Sequence, residues 1–198
     1  DDRVCAYPAL MAIMDIGVPE RTAVCLLTDK EEIGSDGNTG AQSNLLEDFI
    51  ANLISLTEDS YSDLKLRSCL SKSKMLSADV NAAVDPNYES VFEKRNATYL
   101  NRGIVIQKYG GSRGKYDSSD ASAEFTGEVR KLFNDNNIIW QTGEMGKVDI
   151  GGGGTIAKYA ANLGIDVIDC GLAVLSMHSP FEMTSKMDIY TIYKAYKV

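Results

Sequence analysis

Short apolar runs typical of β-strands alternate with segments of helical periodicity along the whole chain, and this alternation constrains the fold most strongly. It predicts strands over residues 22–27, 74–79, 103–109, 137–143 and 165–171. It predicts helices over residues 3–16, 44–56, 60–71, 123–136 and 186–198, and a glycine loop that opens a helix over 151–164. Strands that alternate with helices form open, largely parallel sheets covered on both faces. The 198 residues suffice for one such α/β domain.

The charge balance argues against a nucleic-acid partner. The chain has 28 acidic and 20 basic residues, and no run of Lys and Arg supplies the basic surface that a polyanion needs. It also has no apolar run of membrane-spanning length and no signal-peptide pattern, so we expect no membrane partner and a cytoplasmic location.

The cysteines indicate the redox compartment of the protein, and the first residues indicate whether the chain is part of a longer polypeptide. Four cysteines lie far apart without a C-x-x-C pair, which favours buried free thiols over a disulfide framework. The chain opens with "DDRVCAYPALMAIMD", without a methionine, and runs at once into an apolar helical pattern. We therefore expect a portion of a longer polypeptide.

Acidic residues and the single histidine follow three of the predicted strands. Glu31 and Glu32, in "TDKEEIGS", come after strand 22–27, together with Asp29. Asp79 ends strand 74–79, and His178, in "LSMHSP", follows strand 165–171. Ligands of open α/β sheets bind beyond the carboxyl ends of the strands, so we expect these side chains to converge at one edge.

A divalent cation would neutralise such a group of acids. Carboxylates and an imidazole suit zinc or a similar metal, and two adjacent metals form a hydrolytic centre. Neighbouring side chains on an extended backbone point to opposite sides, so one of Glu31 and Glu32 can bind metal while the other acts as a general base. Plainer interpretations stay open at this point: a solvated turn for the two glutamates, a structural histidine, and a turn-capping Asp79.

Five segments together resemble the M18 aminopeptidases, the aspartyl aminopeptidase or aminopeptidase I family, in its bacterial form. They are "DDRVCAYPAL", "TDKEEIGSDGNTGAQS", "SADVNAAVDPNY", "GGGGTIAKYAANLGIDVIDCG" and "LSMHSPFE". The resemblance runs from residue 1 to residue 198 and implies the carboxy-terminal part of a catalytic domain. It also implies a zinc-exopeptidase fold, a three-layer α/β/α sandwich around a mixed, mostly parallel sheet.

The resemblance further implies an activity and a set of roles. The family removes amino-terminal residues from peptides through a hydroxide held between two metal ions, usually zinc, with cobalt or manganese as alternatives. Asp1 would bridge both metals, Glu32 and His178 would ligate one, and Asp79 the other. Glu31 would be the general base. The strand-end argument reaches all of these residues except Asp1. Full-length relatives form homo-oligomers, commonly dodecamers.

Two departures from the family leave a second function open. Relatives have another metal-binding histidine, in a His-x-Asp segment, and an inserted dimerisation domain, both of which would precede residue 1. Ala82 and Asp85 stand where many relatives have histidines. The alternative is a non-catalytic or inactive metallopeptidase-fold fragment that serves assembly or binding.

The glycine run at 151–154 admits two interpretations. Glycine loops at helix starts bind phosphates, but neither the G-x-x-x-x-G-K-[ST] nor the G-x-G-x-x-G spacing is met, so a nucleotide site is poorly supported. The resemblance implies instead that Gly153, Gly154 and Thr155 line the substrate cleft. The loop at 110–122, with Arg113 and Lys115, is either a further cleft element that meets an acidic group of the substrate or a solvated connection.

Overall fold

The computed structural model describes residues 1–113 and 116–198, so the predicted cleft residue Lys115 lies outside the described part. The helices are α1 (Arg3–Asp15), α2 (Leu45–Thr57), α3 (Asp63–Ser71), α4 (Ala123–Asp135), α5 (Ala157–Asn162) and α6 (Lys186–Lys197). The strands are β1 (Lys74–Ser77), β2 (Asn81–Ala82), β3 (Ile104–Gln107), β4 (Trp140–Thr142), β5 (Asp166–Gly171) and β6 (Ala173–Val174). Short 3₁₀ turns cover Glu31–Ile33, Glu89–Val91 and Lys94–Asn96.

The main sheet is mixed and has the strand order β1-β5-β3-β4. The pairs β1–β5 and β3–β4 are parallel, whereas β3 and β5 run antiparallel. A short parallel pair, β2–β6, continues beyond β1 and β5. Both β3 and nearly all of β5 are buried, which explains why apolar residues occur on both faces of these strands rather than at alternate positions.

Helices cover both faces of this sheet, which confirms the predicted three-layer α/β/α sandwich. On one face α1, α4 and α6 pack through Cys5, Phe133 and Ile192 against Ile106 and Ile168. On the other face α2, α3 and α5 pack around Val167, which precedes Ile168 on β5. Consecutive residues of a strand point to opposite faces, so β5 supplies both cores.

Side chains that accept from the first free backbone N–H groups fix the starts of several helices. Asp2 accepts from the Cys5 nitrogen at the start of α1, and Ser122 accepts from the Phe125 nitrogen at the start of α4. Each such cap contributes about 1 kcal/mol. Within the described residues, every helix is too short or too polar to cross a lipid bilayer.

The strand predicted at 22–27 is wrong. This segment belongs to no sheet of the described structure, and Val24 and Leu27 are 42% and 54% exposed. A strand requires a neighbour for its N–H and C=O groups. The segment instead borders an open cavity of about 820 Å³ between α1, α2 and β1. The segment is apolar as a buried strand would be, but no partner strand lies beside it in the described residues.

Candidate metal centre

Glu31 and Glu32 lie on a single 3₁₀ turn that follows the segment 22–27. The residues at either end of the turn, Lys30 and Gly34, have left-handed φ angles of 66° and 98°, so the chain reverses sharply there. The expectation of an extended backbone at the two glutamates is therefore wrong. With three residues per turn, their side chains diverge by about 120° around a helical axis instead of pointing to opposite sides of a strand.

Three predicted ligands come together around the His178 imidazole. Its Nε2 atom lies 2.9 Å from an Asp1 carboxylate oxygen and 3.1 Å from a Glu32 carboxylate oxygen. One ligand atom from each residue can be chosen so that all three lie within 4.8 Å of one another. Two carboxylate oxygens and one imidazole nitrogen are a donor set that zinc accepts, so the side chains fit this metal.

Glu182 holds two members of this group in place. One of its carboxylate oxygens accepts from the His178 backbone nitrogen at 2.7 Å, and the other accepts from the Asp1 nitrogen at 2.5 Å. His178 has a left-handed φ of 66°, so this contact fixes a backbone conformation that non-glycine residues seldom adopt. The two contacts join the start of the chain to the segment after β6.

Asp79 lies deeper than the His178 group and follows β1. Burial raises the pKa of Asp79 well above its usual range, and the negative charges of Asp2 and Glu31 raise it further. Its backbone carbonyl packs so closely on Gly171, at the end of β5, that a Cβ on this glycine would lie 1.8 Å from the oxygen. Only glycine permits this approach, which brings the end of β5 under the acidic residue.

Asp2, Glu31 and Asp79 interact through their charges, and we call these three residues the acidic cluster. Burial raises the pKa of Glu31, the charge of Glu32 raises it further, and His178 lowers it. Burial raises the pKa of Asp2 to about 6, although its hydrogen bonds with Cys5 act in the opposite direction. Acids that raise one another's pKa in one cleft indicate a functional site that a cation would stabilise.

The predicted site residues thus divide into two sets. Asp1, Glu32 and His178 lie within ligand distance of one another, whereas Asp79 lies outside that group and is coupled to Glu31 and Asp2 by charge. Of the predicted metal ligands, Asp79 is therefore the one that does not join the group around His178.

The glycine loop at 151–155 packs against the loop that follows β3. The Gly153 carbonyl accepts from the Gly111 nitrogen at 2.8 Å, and a Cβ on Gly154 would lie 2.8 Å from the Asp117 carbonyl oxygen. Thr155 is buried, and its hydroxyl donates to an Asp169 carboxylate oxygen at 2.9 Å. The side chain of Thr155 therefore points into the protein.

Sequence reasoning missed Asp2, Asp169 and Glu182. A signal was present for each: Asp2 neighbours a predicted ligand, and Glu182 lies in the quoted segment "LSMHSPFE". Asp169 interrupts the apolar run "IDVIDCG", and a charged residue in a buried strand is uncommon unless it is paired.

Comparison with known proteins places these features in one family. The family model described as aminopeptidase I zinc metalloprotease (M18) matches residues 1–198. The probable M18 family aminopeptidase 1 of Clostridium acetobutylicum is 50% identical over 196 residues, which are 99% of this chain and 42% of that protein. The probable M18 family aminopeptidase 1 of Thermotoga maritima is 47% identical over 197 residues, which are 100% of this chain and 44% of that protein.

Solved structures agree with the sequence comparisons. The crystal structure of the M18 aminopeptidase from Thermotoga maritima superposes with a TM-score of 0.96 at 47% identity, covering 100% of this chain and 44% of that one. The S. cerevisiae mApe1 dodecamer gives 0.78 at 28% identity, covering 100% of this chain and 43% of that one. The chain therefore spans less than half the length of these relatives.

Proposed function

The chain belongs to the M18 family of zinc metalloproteases, and from this premise we propose that it carries the acidic part of a dinuclear zinc aminopeptidase centre. Asp1, Glu32 and His178 would hold one zinc ion, and Asp79 the other, with Asp1 shared between them. The observation that supports this most directly is the position of the His178 Nε2 atom, 2.9 Å and 3.1 Å from the two carboxylates. Cobalt or manganese could replace zinc with the same ligands.

Glu31 is the general base in this proposal. When bound, zinc polarises a carbonyl oxygen and lowers the pKa of water, which makes a nucleophile available at neutral pH. The Glu31 carboxylate takes a proton from the attacking water and later gives it to the leaving amine as the peptide bond breaks. Burial and the charge of Glu32 raise the pKa of Glu31 and so strengthen it as a base.

The acidic cluster also suits the substrate class. The free amino terminus of a peptide is positively charged, so the carboxylates that remain unneutralised attract it. The backbone of Gly153 and Gly154 would line the cleft for the peptide chain. We propose peptides as substrates, a cytoplasmic location in keeping with the free thiols, and a homo-oligomer like the yeast dodecamer.

A second candidate function rests on Asp79, which lies outside the group formed by Asp1, Glu32 and His178. A metallopeptidase fold that does not assemble a dinuclear centre could serve assembly or binding instead. Zinc content and hydrolysis of aminoacyl-nitroanilides distinguish the two functions. A protein that folds and binds zinc but hydrolyses none of these compounds supports the non-catalytic candidate.

The direct test of the base is Glu31→Gln. The amide cannot accept the proton of water, so we expect kcat to fall by about 10²- to 10⁴-fold while the zinc content stays unchanged. Glu89→Gln is the matched control, because Glu89 is exposed, pairs with Lys94 and lies outside the acidic cluster. A Glu31→Gln protein with the turnover of the wild type would refute the assignment.

A further inference from the structure

Polar side chains form a row across the buried centre of the sheet. Ser77 of β1 and Gln107 of β3 are both in direct register with Asp169 of β5. Directly paired residues of neighbouring strands project from the same face, so the three side chains are neighbours. Ser77 is 0%, Gln107 4% and Asp169 6% exposed. A carboxylate in this position destabilises the fold unless specific contacts compensate for the lost hydration.

One contact of Asp169 reaches the glycine loop. The Thr155 hydroxyl donates to one carboxylate oxygen of Asp169 at 2.9 Å and itself accepts from the Ala157 nitrogen at 3.2 Å. Because Ala157 begins α5, one hydroxyl joins β5, the end of the glycine loop and the start of the helix. The other Asp169 oxygen is buried and has no hydrogen-bond partner in the part of the chain that the structure describes.

Asp169 is also close enough to the acidic cluster to act on it through charge. Its negative charge raises the pKa of both Glu31 and Asp79. Asp169 therefore contacts the glycine loop through Thr155 and acts on the acidic cluster through its charge.

We propose that Asp169 is a positioning residue, which holds the glycine loop at 151–155 beside the acidic cluster through the Thr155 hydroxyl. The loop is tied on its other side to the chain after β3, where the Gly151 carbonyl accepts from the Arg113 nitrogen at 2.5 Å. Glycines leave the loop backbone without side-chain packing of its own, so the Thr155–Asp169 bond and these backbone bonds determine its position. The consequence for substrate rests on the proposed function: a displaced loop would weaken peptide binding more than the chemical step.

Two substitutions of Thr155 separate positioning from simple packing. Thr155→Val keeps the size of the side chain and removes the hydroxyl, whereas Thr155→Ser keeps the hydroxyl and removes a methyl group. Thr126→Val is the matched control, because the Thr126 hydroxyl donates to the carbonyl of Ser122, the residue that caps the start of α4. The readouts on the zinc-loaded protein are amide hydrogen exchange over residues 151–157, zinc content, and kcat and KM for an aminoacyl-nitroanilide.

We expect Thr155→Val to speed exchange in the glycine loop about tenfold and to raise KM by a similar factor, with zinc content and kcat close to those of the wild type. Thr155→Ser should restore both values. Wild-type exchange in Thr155→Val, or equal damage in Thr155→Ser, would overturn the proposal. If the wild type hydrolyses no substrate, the proposed function fails, but the exchange comparison still decides the role of Asp169.

Discussion

The two halves of the candidate centre differ in how they carry negative charge. In the half around His178, two of the three side chains are open to solvent, with His178 61% and Glu32 51% exposed, whereas the Asp1 side chain is 8% exposed. In the half around Asp79 and Asp169, burial raises the pKa of both carboxyl groups, and the negative charge of Asp169 raises that of Asp79 further. The exposed charges are screened by water, whereas the buried ones interact at low dielectric constant.

This difference implies two ways of depending on metal. The exposed half presents ligand atoms that are already arranged by hydrogen bonds, so a cation binds them with little rearrangement. In the buried half, the negative charges of neighbouring carboxylates repel one another, and a bound cation would let these acids remain ionised. Substitutions should therefore affect metal binding most strongly in the exposed half, and changes of pH should act most strongly on the buried half.

The largest expected effect tests the exposed half. His178→Ala removes the nitrogen ligand, and since structural zinc sites bind with about 10–16 kcal/mol from four ligands, losing one should weaken zinc about 10²- to 10³-fold. Equilibrium dialysis with zinc measures this change. Ser179→Ala is the control for the same loop and should bind zinc like the wild type. Unchanged zinc stoichiometry and affinity in His178→Ala would remove His178 from the ligand set.

The next effect tests the buried half through pH. Burial raises the pKa of Asp169 to about 6 from its ordinary value of 3.8, so the folded state holds this proton more tightly than the unfolded state. The stability that protonated Asp169 contributes is fully present below pH 3.8 and is lost as the pH rises to about 6. For this one group the loss amounts to about 3 kcal/mol.

Asp169→Asn isolates this contribution, because the amide oxygen can still accept from Thr155 but the group no longer titrates. In urea unfolding of the metal-free protein, we expect the wild type to lose about 3 kcal/mol relative to the variant between pH 4 and pH 7. If the two proteins keep a constant difference over this range, Asp169 does not titrate as the buried environment requires. The comparison between the two halves would then lose its electrostatic basis.

The sequence predicted most of the fold, because the spacing of apolar residues within a segment indicates which of its faces is buried. The strands at 74–79, 103–109, 137–143 and 165–171 are confirmed as β1, β3, β4 and β5, with small changes in their ends. The strand at 22–27 is wrong because pairing depends on a neighbour that the periodicity of the segment does not contain.

The site residues also divide into those that the sequence identified and those that only the folded chain reveals. The motif residues Glu32 and His178 come together with Asp1, although the strand at 22–27 from which the strand-end argument placed Glu32 does not form. The roles of Asp169 and Glu182 depend on contacts between distant parts of the chain, such as the 181 residues that separate Asp1 from Glu182. Burial and hydrogen bonding of this kind arise only in the folded chain, so spacing could not reveal them.

The smallest effect tests whether the exposed half is arranged before metal binds. Glu182 accepts from two nitrogens, and Glu182→Gln leaves an amide that can accept from only one of them, so one contact is lost. Residues that orient metal ligands contribute about 10- to 100-fold to affinity, and we expect the lower figure because one contact remains. Zinc affinity at pH 7 measures it, with Glu89→Gln as the control for a lost surface charge. Wild-type affinity in Glu182→Gln would mean that zinc itself arranges Asp1 and His178, and the exposed half would then depend on metal for its order as the buried half does for its charge.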